Sequence, residues 1–239
     1  MVNKAALSVL GVIVLVSMGV GALIGMQLGP TGGGGGDGGP AAGTTQTPVP
    51  TDGGGSASAT TEPLAQQDTV PPRRFDTARI AADVKRLVNE HRSQQGLGQF
   101  QTDGTTVSRI DRMARKHSVA MADAGAVRFT INGTSSADRY RAADLYDTCR
   151  FTSNSGAGTI DATDNRLEVI GSTVAGRQYT ENGEVRMNRD DEAVAKAIVS
   201  NWYQSPVFRD RLGYEHAKSL GVGIEITDDG TVYVTGNLC

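Results

Sequence analysis

The sequence predicts an α+β domain in the C-terminal two-thirds of the chain, and three observations carry that reading. Segments 80–96, 106–124 and 191–205 repeat apolar residues at three- and four-residue intervals, the period of helices buried on one face. Segment 221–235 alternates apolar and polar residues on either side of Asp228-Asp229-Gly230, which spells a hairpin. All twelve aromatic residues lie at or beyond Phe75, so the packable core is confined to the last 165 or so residues, the size of one domain. Helices segregated from an antiparallel pair are the mark of α+β layers.

Each element has its own signal. Asp76 is placed to cap a helix carrying Ile80, Val84, Leu87 and Val88 on one face, which runs until Gly96. A second helix over 106–124 has Ile110, Met113, Ala114, His117 and Met121 on one stripe and Gly125 as its stop. A shorter helix is expected over 136–145. Segment 152–188 is rich in Gly, Thr, Asn and Asp and has no helical period; it reads as loops with a short strand at 167–171 and a hairpin turning at Glu181-Asn182-Gly183. Asp190 or Asp191 then caps a helix bearing Val194, Ala197, Ile198, Val199 and Trp202, ended by Ser205-Pro206.

The front of the chain is of another kind. Residues 5–28 carry no charge, and 24 residues at 1.5 Å each reach roughly 36 Å, enough to cross a hydrocarbon core of about 30 Å. Segment 1–28 is therefore expected to be a membrane anchor, or else a signal segment that is cleaved to leave a secreted protein. The one positive charge there, Lys4, favours a cytoplasmic N-terminus and a single pass, with the C-terminal domain outside the cell. Residues 29–74 form the next unit. Twelve Gly, five Pro and eight Thr among residues 29–70, with no aromatic, Ile or Met, predict a disordered linker, since such a composition cannot offset its ordering entropy. The domain proper spans 75–239.

Charge and motifs exclude several functions. From Arg73 onward Lys plus Arg number 22 and Asp plus Glu number 22, so the domain has no basic footprint for nucleic acid. The glycine run at 32–36 has no flanking strand or helix to make a phosphate cradle, and no G-x-S-x-G elbow occurs. Of the three histidines, His91 sits near the exposed end of the first helix and reads as solvated. His117 lies on an apolar stripe and reads as a packing residue, and His216 has no legible context. Glu168 is the carboxylate inside an apolar stretch, Leu167-Glu-Val-Ile-Gly, where it is either buried or the outward residue of an edge strand. Cys149 and Cys239, in a segment placed outside the cell, are expected to form a disulfide. Asn132-Gly133-Thr134 fits the N-glycosylation sequon, with Asn132 as acceptor.

Four blocks in order resemble the CAP superfamily, the fold of cysteine-rich secretory proteins, antigen 5 and pathogenesis-related proteins, in its prokaryotic secreted (SCP-domain) form. Leu87-Val-Asn-Glu-His-Arg followed by Gly96-Leu97 is similar to the family's first helix, and Ala114-Arg-Lys-His-Ser-Val-Ala-Met121 to its second. Val199-Ser-Asn-Trp-Tyr-Gln-Ser-Pro206 resembles the W-x-x-S-P segment, and Leu220-Gly-Val-Gly with Val232-Tyr-Val-Thr-Gly-Asn-Leu-Cys239 resembles the closing strands. The resemblance implies a three-layer αβα sandwich with a cleft of two His and one or two acidic residues, which in some members binds a divalent metal. This chain departs from that pattern. Ile131 stands where the first cleft His would be and Phe208 where the second would be, while Glu168 keeps the carboxylate in Leu-Glu-Val rather than Gly-Glu-Asn. His117 corresponds to the helix His, which is not a cleft ligand.

Two imidazoles replaced by Ile and Phe leave too few ligands for a tight transition-metal site, so no metal and no cofactor is expected. The resulting expectation is a membrane-tethered extracellular domain that binds a lipid, a cell-surface polymer or a protein partner without catalysis, with Ile131, Glu168 and Phe208 lining its cleft. The alternatives are a cell-surface hydrolase or peptidase using Glu168, and a purely structural surface protein whose tether and disulfide are the point.

Overall fold

The computed structural model describes residues 69–239, so the expected anchor and nearly all of the linker lie outside the described residues. Among the described residues no helix is long and apolar enough to cross a membrane. The centre of the fold is a three-stranded antiparallel sheet. In chain order it is preceded by helices α1 (Thr77–Gln94), α2 (Thr105–Ala124) and α3 (Ser136–Ala142) and by the short strands β1 (Phe151–Thr152) and β2 (Thr159–Ile160). Strand β3 (Glu168–Val174) follows, then β4 (Gln178–Glu181), β5 (Glu184–Met187), helices α4 (Asp191–Gln204) and α5 (Pro206–Leu212), and strands β6 (Leu220–Ile226) and β7 (Thr231–Leu238). The sheet order is β3-β7-β6.

Register decides what each face of the sheet sees, because paired residues of an antiparallel ladder point to the same side. Glu168 pairs with Asn237 and Ile170 with Thr235 on β7, which in turn face Gly221 and Gly223 of β6. This face lies under α2. A Cβ added at Gly223 would sit 2.1 Å from the Arg115 backbone nitrogen, so the strand has no side chain where the helix rests on it. The opposite face carries Val169, Gly171, Gly236, Val234, Val222 and Ile224 and packs on Ile80, Val84 and Val88 of α1 and Val194, Ile198 and Trp202 of α4. There Trp202 fills the space above two glycines, and a Cβ at Gly236 would lie 2.9 Å from its ring. Helices on both faces of a central sheet make three layers.

The local signals work as their chemistry requires. Asp76 accepts hydrogen bonds from the Ala78 and Arg79 amides at 2.9 and 3.2 Å, and Gly125 ends α2 in the left-handed region at φ 61°. Asn182 and Gly183, at φ 52° and 81°, turn β4 into β5 at the expected place. Three expectations change. The strand at 167–171 runs on to Val174 and joins the terminal hairpin as a third strand, while α3 stops at Ala142 rather than residue 145. The loop region also holds the β1–β2 pair. Ser205-Pro206 does end α4, but the same dipeptide starts α5: Ser205 accepts from the Phe208 amide at 3.5 Å, and proline is well suited to the first helical turn.

Side chains close parts of both sheet edges. On β3 the carbonyls of Glu168, Ile170 and Val174 accept from Arg211, Trp202 and Asn188, and on β6 the Val222 amide donates to Asp111 at 2.8 Å. Cys149 and Cys239 form the expected disulfide. It closes a loop of 90 residues and ties the chain after β7 to the segment after α3, a link that contributes about 4–5 kcal/mol by chain entropy.

Candidate functional site

Glu168, the first residue of β3, turns its carboxylate under α2 and is fully buried. Of the two expectations for this residue, burial is the one the structure shows. A buried carboxylate must be paired, and three elements supply partners. From α3 the Arg139 guanidinium donates through Nη2 to both oxygens, at 2.7 and 2.9 Å. From α2 the His117 Nδ1 lies 3.1 Å from Oε1, and from β7 the Asn237 amide donates to the same oxygen at 3.4 Å. Arg211 of α5 holds the Glu168 backbone carbonyl at 2.6 Å.

The sequence places Arg139 by fixing the start of its helix. Ser135 and Asp138 form a capping box in which Ser135 accepts from the Asp138 amide at 3.3 Å and Asp138 accepts from the Ser135 amide at 3.1 Å. Arg139 follows directly and also binds the carbonyls of Phe129 and Thr134, at 2.8 and 3.0 Å. Next to it, buried Tyr140 donates to the Leu238 carbonyl at 2.7 Å, and burial pushes its phenol well above the ordinary value.

Burial alone would raise the Glu168 carboxyl, but the His117 hydrogen bond and the Arg139 charge outweigh it and hold the group below the usual carboxylate range. The carboxylate is therefore ionised and spent inside the protein. Behind it Ser118 donates to the Gly223 carbonyl at 2.9 Å and lies within hydrogen-bond distance of Thr235 Oγ1 at 3.0 Å, and Thr235 lies 3.4 Å from His117 Nδ1. His117 Nε2, Arg139 Nε, Ser136 Oγ and Asn237 Oδ1 are buried without a hydrogen-bond partner among the described residues.

The structure brings two of the three expected cleft residues together. Ile131, 7% exposed, packs with Met121, Ile170 and Tyr233, and half-buried Phe208 and Phe129 close over that cluster. The Phe129 and Phe208 rings meet edge-on at 6.3 Å, with the Arg211 guanidinium 5.3 and 5.7 Å from their centres. Glu168 belongs to the buried polar network. Asn132 is exposed at the tip of a two-residue turn, with φ of 49° and 77° at Asn132 and Gly133.

Two histidine readings need correction. His117 is more than a packing residue: it reaches the Glu168 carboxylate because the stripe that buries it faces β7 at the level of Thr235. His91 is half-buried rather than solvated, since Tyr203 of α4 stacks on its ring at 4.2 Å. The sequence reading did not find Arg139 or Arg211. The signal for Arg139 was the Ser135-x-x-Asp138 cap, which fixes its helical phase; for Arg211 it was the Ser-Pro helix start that was read only as a stop.

The donor set does not suit a divalent cation, because a guanidinium already sits on both oxygens of the one carboxylate. Among the described residues no group of three or more His, Cys, Asp and Glu side chains gathers as a metal site would.

No protein-family model matches the chain, and no curated protein matches it. Among solved structures it is similar to an outer surface protein from Borrelia burgdorferi, at 14% identity over 69% of this chain and 95% of that one, with a TM-score of 0.43. It is also similar to an extracellular protein containing a SCP domain from Bacillus anthracis, at 16% identity over 68% of this chain, with a TM-score of 0.44. This chain spans 40% of that second protein.

Proposed function

We propose that the protein is an extracellular CAP-like binding module, held at the cell surface by its N-terminal segment, that works without a catalytic carboxylate or a metal. The observation that carries this reading is the state of Glu168: fully buried, ionised and forked by Arg139, it can neither reach a substrate nor accept a proton from one. The disulfide supports an oxidising, extracellular setting. What the Ile131 and Phe208 region offers to a ligand is its rim, the Phe129–Phe208 pair with Arg211 beside it and Val207 55% exposed next in sequence. An apolar rim with one cation suits a ligand, lipid, polymer or protein, that buries apolar area and carries an acceptor.

Native mass spectrometry of full-length protein extracted from its own membrane tests the reading. The expected result is an adduct or partner that leaves on activation and that a Phe208→Ala variant no longer carries. A hydrolytic activity lost on Glu168→Gln, in a variant that keeps its fold, would overturn it.

A further inference from the structure

A second surface feature lies on the far edge of the sheet from β3. Between α1 and α2 lies a groove of about 700 Å³ whose floor is the outer edge of β6. It follows α1 from Thr77 to Glu90, about 20 Å at 1.5 Å per residue. Its α1 wall is low at one end, at Thr77, Ala78, Ala81 and Ala82, and carries Lys85, Arg86, Asn89 and Glu90 at the other. Along the floor the outward backbone groups are only partly used. The Leu220 amide donates to the Gln101 carbonyl and the Val222 amide to Asp111, while Ile224, the next residue on that side and 2% exposed at the bottom of the groove, has no partner across that edge among the described residues.

The charges in the groove are uneven. Lys85 is spent on Asp111 at 2.8 Å, and Arg86 on Asp83 and Glu90 at 3.2 and 2.7 Å. Arg112 and Arg115, one turn apart on the α2 wall, are exposed and have no ion-pair or hydrogen-bond partner among the described residues. An unused pair of guanidinium groups beside a sheet edge complements carboxylates on an extended chain. Alternate side chains of such a chain recur about every 6.6 Å on one side, a spacing that two arginines with Cβ atoms about 5–6 Å apart can serve. The groove lining has no aromatic ring on which a sugar could stack.

We infer that the α1–α2 groove docks an extended acidic peptide of a partner protein, its backbone along β6 at Ile224 and its carboxylates on Arg112 and Arg115. This is strand addition with charge-assisted side-chain contacts. It does not depend on the Phe208 rim and stands or falls separately from it.

The test titrates full-length protein in detergent with a labelled seven-residue peptide of alternating threonine and aspartate, capped at both ends, followed by fluorescence anisotropy at low salt. Saturable binding is expected, weakened about tenfold or more by aspartate-to-asparagine replacement, by Arg112→Gln with Arg115→Gln, and by N-methylation of alternate amides. Both arginines are solvent-facing, so the variant should melt with the wild type; if it does not, the single Arg112→Gln variant carries the same comparison. No saturation at millimolar peptide would overturn the proposal. So would equal binding of the asparagine or N-methylated peptide, the latter showing only a diffuse anion patch, or binding unchanged in the arginine variants.

Discussion

The two faces of the one sheet are held by different physics. Under α1 and α4 the contact is largely apolar, with Trp202 lying over Gly171 and Gly236 and donating its one polar hydrogen to the Ile170 carbonyl at 3.1 Å. Under α2 the strands present Glu168, Thr235 and Asn237, and the helix answers with His117 and Ser118. The first face gains from area removed from water, each part nearly independent of the next. The second is held by specific pairings, and removing one partner strands the other in the interior, which costs more than the lost bond was worth. The apolar face should therefore tolerate substitution site by site, and the polar face should fail as a unit.

The largest effect belongs to the charge pair. Arg139→Leu leaves the Glu168 carboxylate buried with its strongest partner gone and should cost about 3–5 kcal/mol in urea unfolding at pH 7. Adding Glu168→Leu removes the stranded charge, and the double variant should recover most of that loss. If the two losses simply add, the network account of the polar face is wrong. The pH dependence has a definite sign. The Glu168 pKa is held below its unfolded value, so its contribution is present above the unfolded carboxylate range of about 4.3 and is lost as pH falls through the folded value. Wild-type protein should lose stability in that acid window, and Glu168→Gln should lose less of its remaining stability there.

The same contrast explains how far the sequence could be read. The apolar face was legible because periodicity reports burial: the helices carrying Ile80, Val84 and Trp202, and the strands around Asp228-Asp229-Gly230, lie where three-, four- and two-residue repeats put them. The polar face was not, because its specificity lies in pairings across long sequence separations. Nothing local in Leu167-Glu-Val says that Arg139 and His117 will meet that carboxylate, 29 residues before it in one case. Blocks of the resemblance prove to be scaffolding. Asn89 grips both the amide and the carbonyl of Phe100, at 2.8 and 2.9 Å, and buried Arg92 binds the Leu212 carbonyl at the end of α5 at 2.5 Å. Those residues specify how the layers lock together, and so carry no information about a ligand.

Glycine substitutions sharpen the comparison at a smaller scale. A Cβ at Gly223, on the polar face, would meet the α2 backbone at 2.1 to 2.4 Å, and backbone cannot step aside. A Cβ at Gly171, on the apolar face, would lie 3.4 Å from Trp202 Nε1, a side-chain atom with some room to move. Gly223→Ala should cost about 3 kcal/mol or more by prising α2 from β6, and Gly171→Ala about 1 kcal/mol or less. Thermal melts of the two variants decide the matter. Equal losses would mean that the spacing of α2 from the sheet is not what fixes the polar network.

The smallest effect is the most diagnostic, since it removes one hydroxyl. Ser118→Ala deletes the donor to the Gly223 carbonyl and the hydrogen-bonding neighbour of Thr235 Oγ1, and should cost about 1–2 kcal/mol because Thr235 and the carbonyl are left short of a partner in a dry layer. Thr235→Val should cost a similar amount for the reciprocal reason, and it also frees His117 of its 3.4 Å neighbour. If the two hydroxyls serve each other, the double variant should be more stable than the sum of the singles predicts, by about 0.5–1 kcal/mol in a double-mutant cycle. Strict additivity would show that each hydroxyl acts alone. The polar face would then be a set of separate bonds, governed like the apolar one, and the distinction between the two sides of the sheet would reduce to the Glu168–Arg139 pair.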